Sequence, residues 1–105
     1  MKKLILIIAI AVITIASCTK PEQLKDCEKN HYGTVKLENH TDVEYNYYID
    51  NVFITSVPGG QYYDYKNVSS GNHTYRIVEG NTLFPNQHNG TFTVFDCSTS
   101  KVYVN

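Results

Sequence analysis

Three kinds of side chain in this chain of 105 residues could carry chemistry: three cysteines, four histidines and the serines that stand near glycines. The histidines are His31, His40, His73 and His88. No two of them stand two or four residues apart, the spacings that put two imidazoles on one face of a strand or a helix. They predict neither a metal site nor a histidine pair. No Gly-x-Ser-x-Gly surrounds any serine, and Ser69 and Ser70 sit in the turn-forming run Ser69-Ser70-Gly71-Asn72. Gly59-Gly60 precedes a segment patterned as a strand, so it lacks the helix dipole that a phosphate cradle uses. The expectation is a non-enzymatic protein with no catalytic residue, no metal and no cofactor.

The cysteines say more, and Cys18 does so through its position. Met1 to Ser17 runs from a charged start, Lys2 and Lys3, through an apolar stretch from Leu4 to Ala16 broken only by Thr14. At about 1.5 Å per helical residue that stretch spans about 20 Å, short of the roughly 30 Å hydrocarbon core, so it reads as a secretory leader and not as a permanent span. Ile15-Ala16-Ser17-Cys18 follows, and it resembles the lipobox of bacterial lipoproteins: an aliphatic residue, two small ones and the cysteine whose thiol takes the diacylglycerol. Several acyl chains, palmitate among them, would hold the protein stably, each buried CH₂ contributing about 0.8 kcal/mol. With Lys2 and Lys3 removed, seven basic residues face ten acidic ones, a net charge of −3. Attraction to anionic lipid therefore cannot anchor this protein, nor can it bind nucleic acid electrostatically; its partner membrane is reached through lipid at Cys18. Thr19, where an Asp would favour retention at the inner membrane, directs the expectation to the outer membrane of a bacterial cell envelope.

Cys27 and Cys97 remain as an even pair in an oxidising compartment, and neither lies in a Cys-x-x-Cys or Cys-x-His spacing. They predict one structural disulfide. Closing a loop of that length stabilises a fold by about 4 kcal/mol on chain-entropy grounds.

The elements that must position these residues read as strands. Thr19 to Asn30 is polar and reads as a tether, giving three segments: a signal peptide over 1–17, the lipidated cysteine and tether over 18–31, and a β-sandwich domain over 32–105. From Tyr32 onward Tyr, Val, Ile and Thr recur with period two. Val35 and Leu37 mark a first strand; Val43, Tyr45, Tyr47 and Ile49 mark a second. Asp50-Asn51 reads as a two-residue type I′ hairpin loop, which pairs Ile49 with Val52, Tyr48 with Phe53 and Tyr47 with Ile54. Pro58-Gly59 reads as the centre of a type II turn. Further strands are expected over Tyr62 to Val68, His73 to Glu79, Thr91 to Cys97 and Lys101 to Val104. Residues Thr82 to Gly90 read as a long loop with a short edge strand at Leu83 and Phe84. Six to seven short strands at this spacing predict an all-β fold, an antiparallel β-sandwich.

Tyr47-Tyr48-Ile49-Asp50-Asn51, Val57-Pro58-Gly59-Gly60 and Val68-Ser69-Ser70-Gly71-Asn72-His73-Thr74-Tyr75-Arg76-Ile77 together resemble the PEGA-type domain. In that domain a strand ending Ile-Asp-Gly is followed by a proline turn and a Gly-x-His strand. Asn51 stands where that family usually has Gly, and Pro58-Gly59-Gly60-Gln61 replaces its name motif. The layout of lipobox, Cys27, Asp50 turn, Gly71-Asn72-His73 and Cys97 is also similar to small β-sandwich lipoproteins of Bacteroidota. The resemblance implies an extracytoplasmic module that binds surfaces or partners.

All 9 Tyr and 4 Phe lie beyond the leader. Most fall on the alternating apolar face, but Tyr48 and Phe53 face away from Tyr47 across the hairpin. Such a pair is a candidate binding spot for a sugar or a protein partner, against the plainer role of stabilising the sheet by cross-strand packing. The leading expectation is a lipid-anchored envelope module presenting a sandwich surface to a glycan or protein. The alternative is an envelope inhibitor or immunity protein whose irregular loop plugs a hydrolase or toxin.

Overall fold

The computed structural model describes residues 24–105. The predicted leader and Cys18 lie outside the described residues. A one-turn helix, α1 (Asp26–Lys29), precedes seven strands: β1 (Tyr32–Asn39), β2 (Tyr45–Ile49), β3 (Val52–Val57), β4 (Tyr62–Ser69), β5 (Gly71–Glu79), β6 (Gln87–Val94) and β7 (Thr99–Val104). They form a three-stranded sheet in the order β4-β1-β7 and a four-stranded sheet in the order β3-β2-β5-β6. The predicted all-β sandwich is what the chain adopts.

Period-two alternation explains the packing. Along β1 the buried residues are Gly33, Val35, Leu37 and Asn39, and along β2 they are Tyr45, Tyr47 and Ile49. These inner faces meet with Val57, Val68, Ile77, Val94, Val102 and Val104 in one core. Tyr47 is fully buried, and its hydroxyl donates to the Glu38 carbonyl of the facing sheet. Burial, with the nearby Glu38 charge, holds that phenol far above its usual pKa. Among the described residues Asn39 is the buried polar one, and its amide is fully used. Nδ2 donates to the carbonyls of Val43 at 2.7 Å and Val57 at 2.8 Å. Oδ1 accepts from the Thr41 amide at 2.9 Å and from the Thr41 hydroxyl at 2.7 Å. This network closes the β1–β2 connection, so the residues from His40 to Glu44 leave the ladder and Val43 is 40% exposed, outside the strand it was expected to open.

Four more details depart from the reading of the sequence. The Asp50-Asn51 hairpin has both residues at positive φ, 51° and 65°, and pairs Ile49 with Val52 and Tyr48 with Phe53 as a type I′ loop should. One step later a β-bulge intervenes, so Tyr47 pairs with Thr55 and not with Ile54. The extra residue reverses the alternation of β3 and turns Val57 into the core opposite Tyr45; with no bulge Val57 would face solvent. The turn after β3 lies one residue later than expected: Gln61 N–H donates to the Pro58 carbonyl at 3.1 Å, and Gly60, with φ 75°, takes the left-handed position. Gly59 instead packs on the backbone of Asp42, where a Cβ would come within 2.6 Å.

Third, β6 starts at Gln87, so the irregular loop covers only residues 80–86, and Leu83 and Phe84 form no strand. The Gln-His-Asn-Gly run has poor strand propensity, but β5 offers it a complete ladder as far as Val78 opposite Gln87, and those backbone bonds decide. Fourth, β7 runs parallel to β1, Val102 beside Leu37 and Val104 beside Asn39, although every other pair is antiparallel. The chain crosses from one sheet to the other between β6 and β7, which lets it arrive at the free edge of β1 in the parallel sense.

The segment assigned to the tether is also partly built. Lys25 N–H is capped by the Glu28 carboxylate at 3.0 Å, and α1 carries Cys27 to Cys97, with Cα atoms 5.2 Å apart in the expected disulfide. Among the described residues no helix is long and apolar enough to cross a membrane.

Candidate binding face

The outer face of the four-stranded sheet is defined by register. Its central row is Phe53, Tyr48, Arg76 and Asn89, from β3 through β2 and β5 to β6. A second row is Ser56, Asn46, Val78 and Gln87, and Thr74 pairs with Thr91 on the other side of the central row. Tyr48 and Phe53 are therefore brought together as predicted, their rings edge to face with centroids 5.6 Å apart. Phe53 is 53% exposed and Tyr48 partly buried. The Asp50-Asn51 turn together with alternation found this pair, because a type I′ loop fixes the register of the residues next to it.

Arg76 is the member that reading missed as a functional group. Its guanidinium lies 3.9 Å above the Tyr48 ring centroid. Sequence patterning puts Arg76 on an outward face, but β2 and β5 are joined through the whole of β3 and β4, and nothing local says which β2 residue it will meet. Among the described residues no carboxylate forms an ion pair with it. It is the one charged side chain in the first two rows, where the remaining polar groups are amides and hydroxyls; Asp50, opposite Thr74 in the third, has its carboxylate taken up by His73 and the Thr74 amide. Ser56 Oγ donates to Asn46 Oδ1 at 2.5 Å and Gln87 Nε2 to Asn89 Oδ1 at 3.3 Å. Each bond occupies an amide oxygen and leaves Nδ2 of Asn46 and of Asn89 as a donor.

The other sheet's outer face differs. There Lys36 pairs with Asp64 on one side and Lys101 on the other, and its ammonium sits 4.1 Å over the Tyr62 ring. Both signs of charge are present, the pattern of a solvated face. Two recesses of about 340 Å³ each lie elsewhere, one beside the Cys27–Cys97 bridge and one beside Asp50 and His73. Neither includes Tyr48 or Phe53.

The histidines have partners that spacing did not disclose. His73 is the most enclosed, its side chain 10% exposed, with Nδ1 2.6 Å from Asp50 Oδ2 and Nε2 2.6 Å from the Ser69 carbonyl. Its ring stacks on Phe92 with centroids 5.5 Å apart. Burial alone would lower the imidazole's pKa, but the bonds to Asp50 and Ser69 and the Asp50 charge outweigh it, and the net shift is upward. Asp50 is held below the usual carboxylate value first by His73 and then by the Thr74 amide at 3.0 Å. With both nitrogens engaged by acceptors, the ring has none left to take a proton from a substrate. The Ser70 hydroxyl, and then His31 at 2.9 Å, likewise hold the Asp96 carboxyl low. His40 lies against Glu38 at 3.2 Å and edge-on to Tyr103, and His88 lies near Tyr45. Among the described residues no three His, Cys, Asp or Glu side chains are gathered.

No protein-family model, no curated protein and no solved structure matches the chain.

Proposed function

We propose that this protein is a non-enzymatic, lipid-anchored module of a bacterial cell envelope whose four-stranded sheet presents a binding face to a glycan or a protein. The observation that carries the reading is the Phe53–Tyr48 pair on the sheet face opposite the core, Phe53 exposed and Tyr48 half-buried, with Arg76 stacked on the Tyr48 ring. Side chains that only stabilise a sheet need neither an unpaired cation nor a surround of uncharged donors. Lipidation at Cys18 after removal of residues 1–17, and residence in the outer membrane, rest on the lipobox and on Thr19. The PEGA-like reading draws support from Asp50 and His73, two residues that carry it, being bonded to each other between the β2–β3 loop and the start of β5.

Two measurements test the proposal. Radiolabelled fatty acid should enter the wild-type protein and not Cys18→Ser, which should persist as an uncleaved precursor; equal labelling of both would reject the anchor. For the face, Tyr48→Ala with Phe53→Ala should cost the fold about 1 kcal/mol, while Tyr47→Ala in the core should cost about 3 to 5 kcal/mol. The double variant should lose its partner while staying folded. If it unfolds like the core variant, or folds and keeps the partner, the face is not the site.

A second reading, an inhibitor or immunity protein, is favoured by Leu83 and Phe84, which are 90% and 89% exposed side by side at the tip of the β5–β6 loop. That loop and Cys97 lie beyond opposite ends of β6, so the tip stands away from the tether. Under this reading Leu83→Ser with Phe84→Ser abolishes inhibition of a hydrolase or toxin encoded beside this gene, and the Tyr48/Phe53 variant does not.

A further inference from the structure

We infer that the Phe53–Tyr48–Arg76 row takes a glycan by a carboxylate on one of its sugars, an inference that rests on the binding-face reading above and narrows its ligand. Charge is the first ground. From Cys18 onward the chain carries a net charge of −3, yet the central row holds one ion, a cation, and no carboxylate of the described residues neutralises it. An anion is the ligand group that complements it.

Orientation is the second ground. Tyr48 supports one face of the guanidinium at 3.9 Å, which limits its rotation and leaves its N–H edge for an acceptor. A planar fork held this way matches the two oxygens of a carboxylate better than a lysine ammonium would. Surroundings are the third. The Phe53 ring gives the C–H face of a pyranose an apolar surface, and Asn46, Ser56 and Asn89 offer amides and a hydroxyl to its hydroxyls. A protein partner would need an apolar patch of several hundred Å² at the centre of the contact. These rows supply only Phe53, Tyr48 and Val78, so an acidic sugar fits better than an acidic peptide.

The test uses the full-length protein in detergent micelles over immobilised oligosaccharides of uronic, muramic and sialic acids, each beside its carboxyl methyl ester, with polyglutamate as a separate arm. At least one acid should be retained about tenfold or more over its ester, the ratio expected for one charge-assisted contact. Retention should fall with added salt. Arg76→Gln should abolish the acid preference without changing the melting temperature by more than a few degrees, and Arg76→Lys should keep part of it. Should Arg76→Gln fail to fold, the acid-to-ester ratio and salt dependence of the wild type still decide. Equal retention of acid and ester, lost in Phe53→Ala, would overturn the carboxylate and leave the binding face standing. Retention of polyglutamate alone would overturn the glycan, and no retention on any arm would overturn both.

Discussion

His73 is where single-residue chemistry bears most directly on this fold. Its nitrogens face a carboxylate and a carbonyl, neither of which can donate, so the imidazole keeps both hydrogen bonds only while it carries two protons. Because its pKa in the folded chain is raised above 6.5, the stability it contributes is fully present below the unfolded value and is lost as pH rises through the folded one. Asp50, lowered from 3.8, contributes stability that is present above its unfolded value and is lost as pH falls through the folded one. The pair therefore stabilises most between about pH 4 and 6.5. Melting curves of wild type and His73→Gln should differ most near pH 5 to 6, with the gap shrinking toward pH 9. Lost stacking on Phe92 would leave a constant offset, and the difference between the two proteins cancels the titrating groups that His73 does not touch. A gap that stays the same from pH 5 to pH 9 would show that His73 acts by packing alone.

At the scale of elements, close approaches between strands decide which glycines are replaceable. A Cβ at Gly33 on β1 would meet the carbonyl oxygens of Phe95 at 2.5 Å and Ser98 at 2.8 Å. Those carbonyls belong to the β6–β7 connection that brings β7 alongside β1, and backbone there cannot move without shifting the parallel pair. A Cβ at Gly90 on β6 would meet the outer ring atoms of Tyr75 at 2.5 to 2.6 Å. That ring covers the glycine from the neighbouring strand and can swing aside. Gly33→Ala should therefore cost about 3 kcal/mol and Gly90→Ala about 1 kcal/mol or less, the two ends of the usual range for overpacking. Chemical denaturation of the two variants measures the order, and equal losses would contradict it. The same local geometry explains why the face is legible next to the Asp50-Asn51 loop and not beyond it. The loop sets Tyr48 opposite Phe53, but the bulge after Phe53 has no mark in the sequence except that Val57 would otherwise be stranded in solvent.

For the molecule as a whole, the bridge between Cys27 and Cys97 ties the entry of β1 to the connection that returns the chain as β7. It closes the chain across a separation of 70 residues, worth about 4 kcal/mol against the unfolded ensemble. Reduction should lower the melting temperature by about 10 °C or more, since each kcal/mol moves a domain of this size by about 4 to 8 °C. Native protein should yield neither of these two cysteines to alkylation until reductant is added, and rapid labelling of both without reductant would refute the bridge.

Taken alone, the sequence determined whatever depends on neighbours along the chain. Alternation assigned Val35, Leu37, Tyr47 and Ile77 to inner faces because side-chain direction in a strand has period two. Asp50-Asn51 specified its own loop because few residues tolerate two successive positive φ angles. The two cysteines left after Cys18 could pair only with each other. Tertiary structure decided which strands are neighbours, since backbone ladders form between any two extended segments and side-chain parity says only which face, never which partner. Pairing β2 with β5 set Arg76 on Tyr48 and His73 beside Asp50, while the turn at Ser70, where the chain crosses from one sheet to the other, placed His73 against the Ser69 carbonyl. It also made β7 parallel to β1. The cation of the proposed site therefore came from non-local register, while its aromatic pair was already fixed by a two-residue turn.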